Sequence, residues 1–396
     1  MDEVFCAPGN PGIAEVADCL PVLPGDIVEV ADLAETLKMD LTVVGPELPL
    51  ALGIGDEFGK RDLPIFGPSR LAAQIEASKV FAKEFLHRHG IPTAEALVCA
   101  SREEAQSAIK RMGYPAVLKA DGLAGGKGVL IAESREESDR ALSLFFDERV
   151  FGSAGDRVLV EEFLTGSEVT FLAVCDGKTA VPLPTSRDYK KVYDGDRGPN
   201  TGGMGALSPS GNLDVAASSE AFKEIIRPAV AGLASEGRPF RGVLYAGLMV
   251  TESGLKVLEF NARLGDPEAE VVLPRLQSDL AALLVAAIRG ELERHPPLEV
   301  KPEVCVGVVL CSGGYPGRYE TGKPISGWAE VAHLPSVELF HAGTARAGDQ
   351  LVTGGGRVFV VTATAPTTAE AAARAYEGAD AIQFEGRHFR RDIGRR

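Results

Sequence analysis

The sequence predicts a multidomain chain of mixed α/β and α+β class, and three observations lead there. Short apolar runs alternate with helical patterns over the first 75 residues. A central stretch then carries β-hairpin signatures around glycine-rich turns. The last part, Val304 to Arg396, is rich in strand patterns, with one helix near Ala369–Tyr376. A length of 396 residues allows two or three domains, and the boundaries fall at 1–75, 76–290 and 291–396.

Val4–Ala7, Leu41–Val44 and Ile65–Phe66 read as strands, Asp32–Lys38 and Leu48–Phe58 as helices. Each strand runs into turn chemistry: Pro8 to Gly12, Gly45-Pro46-Glu47 and Gly67-Pro68-Ser69. This is the pattern of a parallel sheet, which collects ligands outside the carboxyl ends of its strands. Glu47 and the loop Gly9–Gly12 fall at such ends.

Ser78–His89 reads as a helix stopped by Gly90 and Pro92. Pro115 opens a strand, Arg157–Val160 is another, and Glu168–Cys175 meets Lys178–Leu183 through an Asp176-Gly177 turn. The tract Thr185–Pro209 is too long and polar for an ordinary connector, and loops of that kind are functional or disordered. Gly242–Val250 and Leu255–Glu270 give two more strands around Glu252-Ser253-Gly254. A helix around Asp279–Arg289 leads into a polar linker, Glu291–Pro302.

Two stretches carry chemistry. The first is KADGLAGGKGVL, Lys119–Leu130, with four glycines and two lysines between strand-like runs. It matches neither a P-loop nor a dinucleotide fingerprint, and no helix follows it. The glycines therefore lie at a hairpin tip, which can close over a phosphate chain with backbone N–H groups and Lys127; a plain surface turn is the alternative. The second is Val257–Asn261, where alternation puts Glu259 and Asn261 on one strand face. Two oxygen donors suit Mg²⁺, which fills its sphere with water and phosphate oxygens. Arg263 continues that face and Asp266 follows in a turn; a half-exposed polar strand is the alternative.

A net charge of −15 argues against nucleic acid or an anionic membrane as main partner. No basic, then apolar, leader opens the chain, and Leu280–Ile288 is too short to span a bilayer. Six scattered cysteines without C-x-x-C read as thiols of a reducing, cytoplasmic compartment. His87 and His89 point to different sides of their helix and make no metal site.

Together these parts resemble the ATP-grasp superfamily and, within it, the phosphoribosylamine–glycine ligase (glycinamide ribonucleotide synthetase) family. The resemblance spans nearly the whole chain. It rests on APGNPG (Ala7–Gly12), VVGPELPL (Val43–Leu50), IFGPS (Ile65–Ser69), KADGLAGGKGV, VEEFLTGSE (Val160–Glu168), GPNTGGMGALSP (Gly198–Pro209), LEFNARLGDPE (Leu258–Glu268), GGYPG (Gly313–Gly317) and FHAGT (Phe340–Thr344). It implies a central ATP-grasp domain with a lid subdomain at about 95–165. It also implies ligation of glycine to 5-phosphoribosylamine in purine biosynthesis, driven by ATP with Mg²⁺, Mn²⁺ being the alternative ion. A monomer is expected.

Carried over residue by residue, the resemblance puts Lys79 and Lys119 on ATP phosphates. Gly122, Gly125, Gly126, Lys127 and Gly128 would cover them. Glu161, Glu162, Phe163 and Leu164 would meet adenine through their backbone, and Glu168 the ribose. Glu259 and Asn261 would bind the metal, and Arg263 would neutralise an acyl phosphate. Asp188, Lys190, Asn200, Thr201, Gly202, Gly203 and Asp266 would shape the glycine and amine pocket, and Gly9, Asn10, Gly12 and Glu47 would face the phosphoribose.

One departure concerns the beginning: the family's opening strand, glycine-rich loop and helix, about 20 residues by average element lengths, precede the point where this sequence starts. The expectation is therefore a truncated N-terminal domain, and a catalytically impaired ATP-binding relative is an alternative. Another ATP-grasp ligase, such as a carboxylase subunit, would lack the loop around Gly198–Gly205, and a Rossmann oxidoreductase would need a G-x-G-x-x-G that is absent.

Overall fold

The computed structural model describes residues 3–123 and 128–395. In the N-terminal part, Phe5–Cys6 pairs in parallel with Asp18–Cys19, and Thr42–Val43 with Ile65–Phe66. The parallel pairing is as expected, but it forms two separate ribbons and not one sheet. The cause is local. A single helical turn, Ile13–Glu15, sends the chain straight back, so that Asp18 and Leu20 donate to the carbonyls of Val4 and Cys6. The first long helix runs Ile27–Thr36, started by an Asp26 side chain that accepts the Glu29 amide. The expected helix Leu48–Phe58 is two, Glu47–Leu52 and Ile54–Lys60, broken at Gly53 with φ +97°. Ala31, Ala34, Leu50, Ile54 and Phe58 join the same apolar core as Phe85 and Leu86 of the next helix, Lys79–Arg88.

Two four-stranded antiparallel sheets build the middle. One has the order Ala96–Cys99, Val158–Glu162, Ala116–Ala120, Val129–Ala132, and helices Arg102–Met112 and Arg135–Leu142 contribute to its apolar core. The expected hairpin is there: Lys119 stands opposite Val129, and Ala120 N–H donates to Gly128 O. Its tip, Gly125, Gly126 and Lys127 included, lies outside the described residues. The other sheet has the order Ala180–Pro182, Ser167–Asp176, Arg241–Thr251, Gly254–Asn261. Alternation divides its side chains: Phe171, Ala173, Leu244 and Phe260 join the core of helix Lys79–Arg88, while Leu172, Val174 and Val243 pack with Leu283 and Leu284 of helix Leu280–Arg289.

The tract Thr185–Pro209 is ordered. It supplies strands Arg187–Asp188, Lys191–Tyr193, Arg197–Asn200 and Gly205–Ser208. Gly205–Ser208 pairs with Val304–Cys311, so the third sheet joins this tract to C-terminal strands: Arg187–Asp188, Gly205–Ser208, Val304–Cys311, Arg357–Ala365, Val337–His341. Helix Thr368–Ala381, longer than expected, shares that sheet's core through Ala371, Ala375 and Tyr376. Among the described residues no helix is long and apolar enough to cross a membrane.

Candidate active site

A cavity of about 990 Å³ takes its walls from both antiparallel sheets, the 187–202 tract and the turns at 45–47 and 263–269. It gathers Glu47, Lys79, Lys119, Gly128, Glu161 to Leu164, Glu168, Asp188, Lys190, Asn200, Thr201, Gly202, Glu259, Asn261, Arg263 and Asp266. Residues scattered over 220 positions of sequence thus share one space, which the sequence alone placed together only by resemblance.

Lys79 is the first residue of its helix because Ser78 caps it: Ser78 Oγ accepts the Phe81 amide at 3.0 Å and donates to Asp121 Oδ1 at 2.8 Å. Asp121 Oδ1 also accepts the Val80 amide, so the base of the hairpin is tied to the helix start. Lys79 Nζ donates to Gly122 O at 2.9 Å. Burial lowers its pKa, and Glu259 opposes that. One helical turn on, Lys83 forms with Glu161 and Lys119 a buried triad: Glu161 Oε1 to Lys83 3.2 Å, Oε2 to Lys119 2.9 Å. Burial pushes Glu161 up, but Lys119 and Lys83 outweigh it and the carboxyl ends below its ordinary value. Burial brings Lys83 down to about 8. Glu161 therefore spends its side chain on fixing Lys119, which also donates to Leu258 O at 3.1 Å. Lys83 was not singled out from the sequence; its spacing of four from Lys79 is the signal that puts both on one helix face.

The apolar end is lined by Ala94, Leu164, Met249 and Leu258, which pack together. Leu164 donates its amide to no partner among the described residues. Glu162 is held from outside, its Oε1 accepting from the Glu95 amide at 3.0 Å and Lys256 at 2.9 Å. This end suits a flat heterocycle read through backbone groups.

Glu259 and Asn261 share the cavity wall, opposite Gly247 and Tyr245 of the neighbouring strand. Glu259 meets Lys190 at 3.4 Å. Lys190 first, against burial and with help from Lys119 and Lys79, holds Glu259 at about 2, and Glu259 in turn drives Lys190 well up. The Asn261 amide has no partner among the described residues. A carboxylate and an amide, both hard oxygen donors, fit Mg²⁺, and no group of three or more His, Cys, Asp or Glu that could hold a metal occurs among the described residues. A metal here would need further oxygens from a nucleotide and water.

Arg263 lies between two carboxylates, Glu47 at 3.2 Å and Glu76 at 3.3 Å. Glu76, another residue without a sequence signal, also accepts the Ala262 amide at 2.7 Å and so fastens the end of the strand that carries Glu259 and Asn261. Burial raises it to about 7 although Arg263 and that amide oppose.

On the far wall Asp188 is half-buried, with its Oδ1 atom buried and unpartnered among the described residues. Burial, then Glu268, push its pKa well up. Glu268 Oε1 accepts from Thr170, whose hydroxyl also reaches Tyr245 at 3.1 Å. Gly203 stands behind this wall and not in it: with φ +117°, a Cβ there would lie 2.3 Å from Pro267 Cδ and 2.9 Å from Asp188 Oδ1. Only glycine lets the 201–203 turn press against the 266–267 turn. Both Asp266 oxygens accept from Arg357, at 2.9 Å each. Arg357 too was missed; the glycine run Gly354–Gly356 before its strand is the signal.

Gly9, Asn10 and Gly12 do not reach the cavity. Asn10 Oδ1 accepts the Gly12 and Ile13 amides, and its Nδ2 donates to His341 O at 2.7 Å. A Cβ on Gly12 would fall 2.4 Å from the His341 ring. The loop is thus docked on the Phe340–Thr344 segment, its amide spent on backbone. Gly122 lies beside the cavity, its carbonyl taken by Lys79.

Comparison with known proteins gives this arrangement a family. Models described as the phosphoribosylglycinamide synthetase N domain, ATP-grasp (A) domain and C domain match residues 1–76, 77–269 and 305–396. A protein from Allochromatium vinosum named phosphoribosylamine–glycine ligase is 47% identical over 406 aligned residues, covering 100% of this chain and 93% of that one. A crystal structure of phosphoribosylamine–glycine ligase from Thermotoga maritima superposes with a TM-score of 0.84 at 37% identity, over 98% of this chain and 93% of the other. The biotin carboxylase domain of a Hydrogenobacter thermophilus 2-oxoglutarate carboxylase, at 18% identity, shares the fold with a TM-score of 0.74 over 97% of this chain and 86% of the other. On these matches, which span the chain, it belongs to the phosphoribosylglycinamide synthetase family.

Proposed function

We propose that the chain ligates glycine to 5-phosphoribosylamine, consuming ATP and releasing glycinamide ribonucleotide, ADP and phosphate. The observation that carries this reading is the convergence of Lys79, Lys119, Glu259, Asn261 and Arg263 on one cavity, in a chain of this family. Adenine lies against Leu164, Met249 and Leu258, with the Leu164 amide as a donor, and Glu168 takes the ribose hydroxyls. Lys79 and Lys119 hold phosphate oxygens. Glu259 and Asn261 would hold Mg²⁺, or Mn²⁺ in its place, which would supply positive charge against that of the phosphates.

The glycine carboxylate attacks the γ-phosphorus, the bond to the β-phosphate oxygen breaks, and ADP leaves. Arg263, braced by Glu47 and Glu76, faces the charge on the glycyl phosphate. The amine of phosphoribosylamine then attacks the activated carbonyl, inorganic phosphate departs, and the nitrogen loses a proton. Asp188, Lys190 and the turn Asn200–Gly203 shape the pocket for both amines, and the unpartnered Asp188 oxygen is a ready acceptor for an N–H. No side-chain nucleophile is required, because phosphoryl transfer asks chiefly for positioning and charge stabilisation. The test is ADP release with both substrates, with each alone and with neither, together with identification of the product by mass. ADP release that ignores glycine would overturn the reading.

A further inference from the structure

Arg357 belongs to the C-terminal sheet, yet its guanidinium reaches into the cavity wall. Its Nη1 donates to Gly202 O at 2.8 Å, Asp266 O at 2.8 Å and Asp266 Oδ1 at 2.9 Å, and its Nη2 donates to Asp266 Oδ2 at 2.9 Å. One planar group therefore spans two separate turns, 200–203 and 263–268. Tyr315 completes the clamp: its hydroxyl accepts the Gly202 amide at 2.9 Å. Both peptide groups of Gly202 are thus held from the C-terminal part, one by Arg357 and one by Tyr315. The side chain of Arg357 is 21% exposed and that of Asp266 49%, so the clamp sits at the solvent edge of the cavity, and its two parallel bonds to one carboxylate supply its geometric precision.

We propose that Arg357 is a positioning residue for the acceptor side of the reaction: by holding Gly202 and Asp266 it sets the separation of the two turns between which glycine and the amine are placed. This rests on the ligase reading above. The two turns carry Asn200 and Thr201 on one side and Arg263 on the other. Nucleotide-side residues Lys79, Lys119 and Glu161 belong to other elements and have no bond to Arg357. The geometry therefore assigns a selective effect, confined to acceptor binding and the step that uses it. A guanidinium is needed because a lysine ammonium cannot make two parallel bonds to a carboxylate while also reaching two carbonyls.

The experiment compares wild type, Arg357→Lys and Arg357→Met for KM of MgATP, glycine and phosphoribosylamine, for kcat and for thermal midpoint. Wild-type turnover with these substrates comes first; its absence overturns the ligase reading and this inference with it. Given turnover, Arg357→Met raises KM for glycine or the amine about tenfold to a hundredfold, with KM for MgATP within about twofold. Arg357→Lys, the milder change should the methionine variant not fold, shows the same pattern at smaller size. Adding Asp266→Asn to Arg357→Met worsens acceptor KM by less than the sum of the single effects, since both remove one pair. Unchanged acceptor KM values, or an ATP KM that rises in step with them, would overturn the proposal.

Discussion

At the scale of single residues the site is governed by how carboxylates share cations. Glu259 is depressed because Lys190, with Lys119 and Lys79, surrounds it, so the folded site favours its ionised form. Glu259→Gln keeps shape and loses the charge that the proposed function sets against metal and phosphate. The expected outcome is loss of nearly all turnover, by at least about a hundredfold, with an unchanged thermal midpoint; near-normal turnover at ordinary Mg²⁺ would remove Glu259 from the metal site. Glu76 behaves in the opposite sense. Its pKa rises on folding to about 7, so between the unfolded value of 4.5 and about 7 the unfolded chain has released a proton that the folded one keeps. Stability from this group is fully present below 4.5 and declines as pH rises to 7, by about 3 kcal/mol at most. In Glu76→Gln, which retains an acceptor for the Ala262 amide, the midpoint should decline less steeply over that window. Parallel pH profiles for variant and wild type would refute the assignment. The Glu259–Asn261 pair was legible because strand alternation is a two-residue rule. Lys83 and Glu76 were not, since their meaning depends on partners roughly 80 and 190 positions away, Glu161 and Ala262 respectively.

Elements position these residues, and some did so as the sequence implied. The hairpin 116–132 and the helix from Lys79 follow from local signals, a glycine-rich break and a serine cap. Ser78 joins the two, and Ser78→Ala removes the cap and the bond to Asp121. The helix should lose about 1 kcal/mol, and because Lys79 is its first residue, KM for MgATP should rise while KM for glycine does not. A loss of stability alone would mean that the cap has no part in placing Lys79. Hydrogen exchange at Asp121, Gly122 and Gly128 should slow on adding MgATP if this hairpin closes over phosphate; equal exchange would favour a plain turn. Where the reading failed, the cause was tertiary. Nothing in Gly9–Gly12 says that its polar groups are used on the backbone of residue 341, and turn chemistry looks the same whether it meets a substrate or a neighbouring strand. The tract 185–209 looked like a loop because its strands are two to four residues long, pair chiefly with one another, and join a larger sheet only where Gly205–Ser208 meets the C-terminal part.

Across the whole molecule, the cavity wall at 187–202 and 266 is held by segments far apart in sequence. Arg390 is fully buried: it donates to Lys191 O at 3.0 Å, Asp196 Oδ1 at 2.8 Å and Asp392 at 2.8 Å. Asp392 accepts the Gly195 amide at 2.8 Å, and Asp194 accepts that of Arg391. Arg390→Met leaves two aspartates without their cation at a cost of about 3 kcal/mol. It should lower the thermal midpoint and raise KM for glycine, with nucleotide affinity by calorimetry little changed. Equal losses on both sides would show that the 191–196 ribbon is not an independent part of the site. Ribosomes make these parts in a fixed order. The cavity residues Lys79, Lys119, Glu161 and Glu259 are synthesised before Val304, the first residue of the strand that pairs with Gly205–Ser208, and more than a hundred positions before Arg390. The ion pairs of Lys83, Glu161 and Lys119 are complete within residues 83–161, whereas the 191–196 ribbon takes its bonds from Arg390. The ribbon is thus fastened only once residues 390–392 are in place, late in the order in which the chain is made.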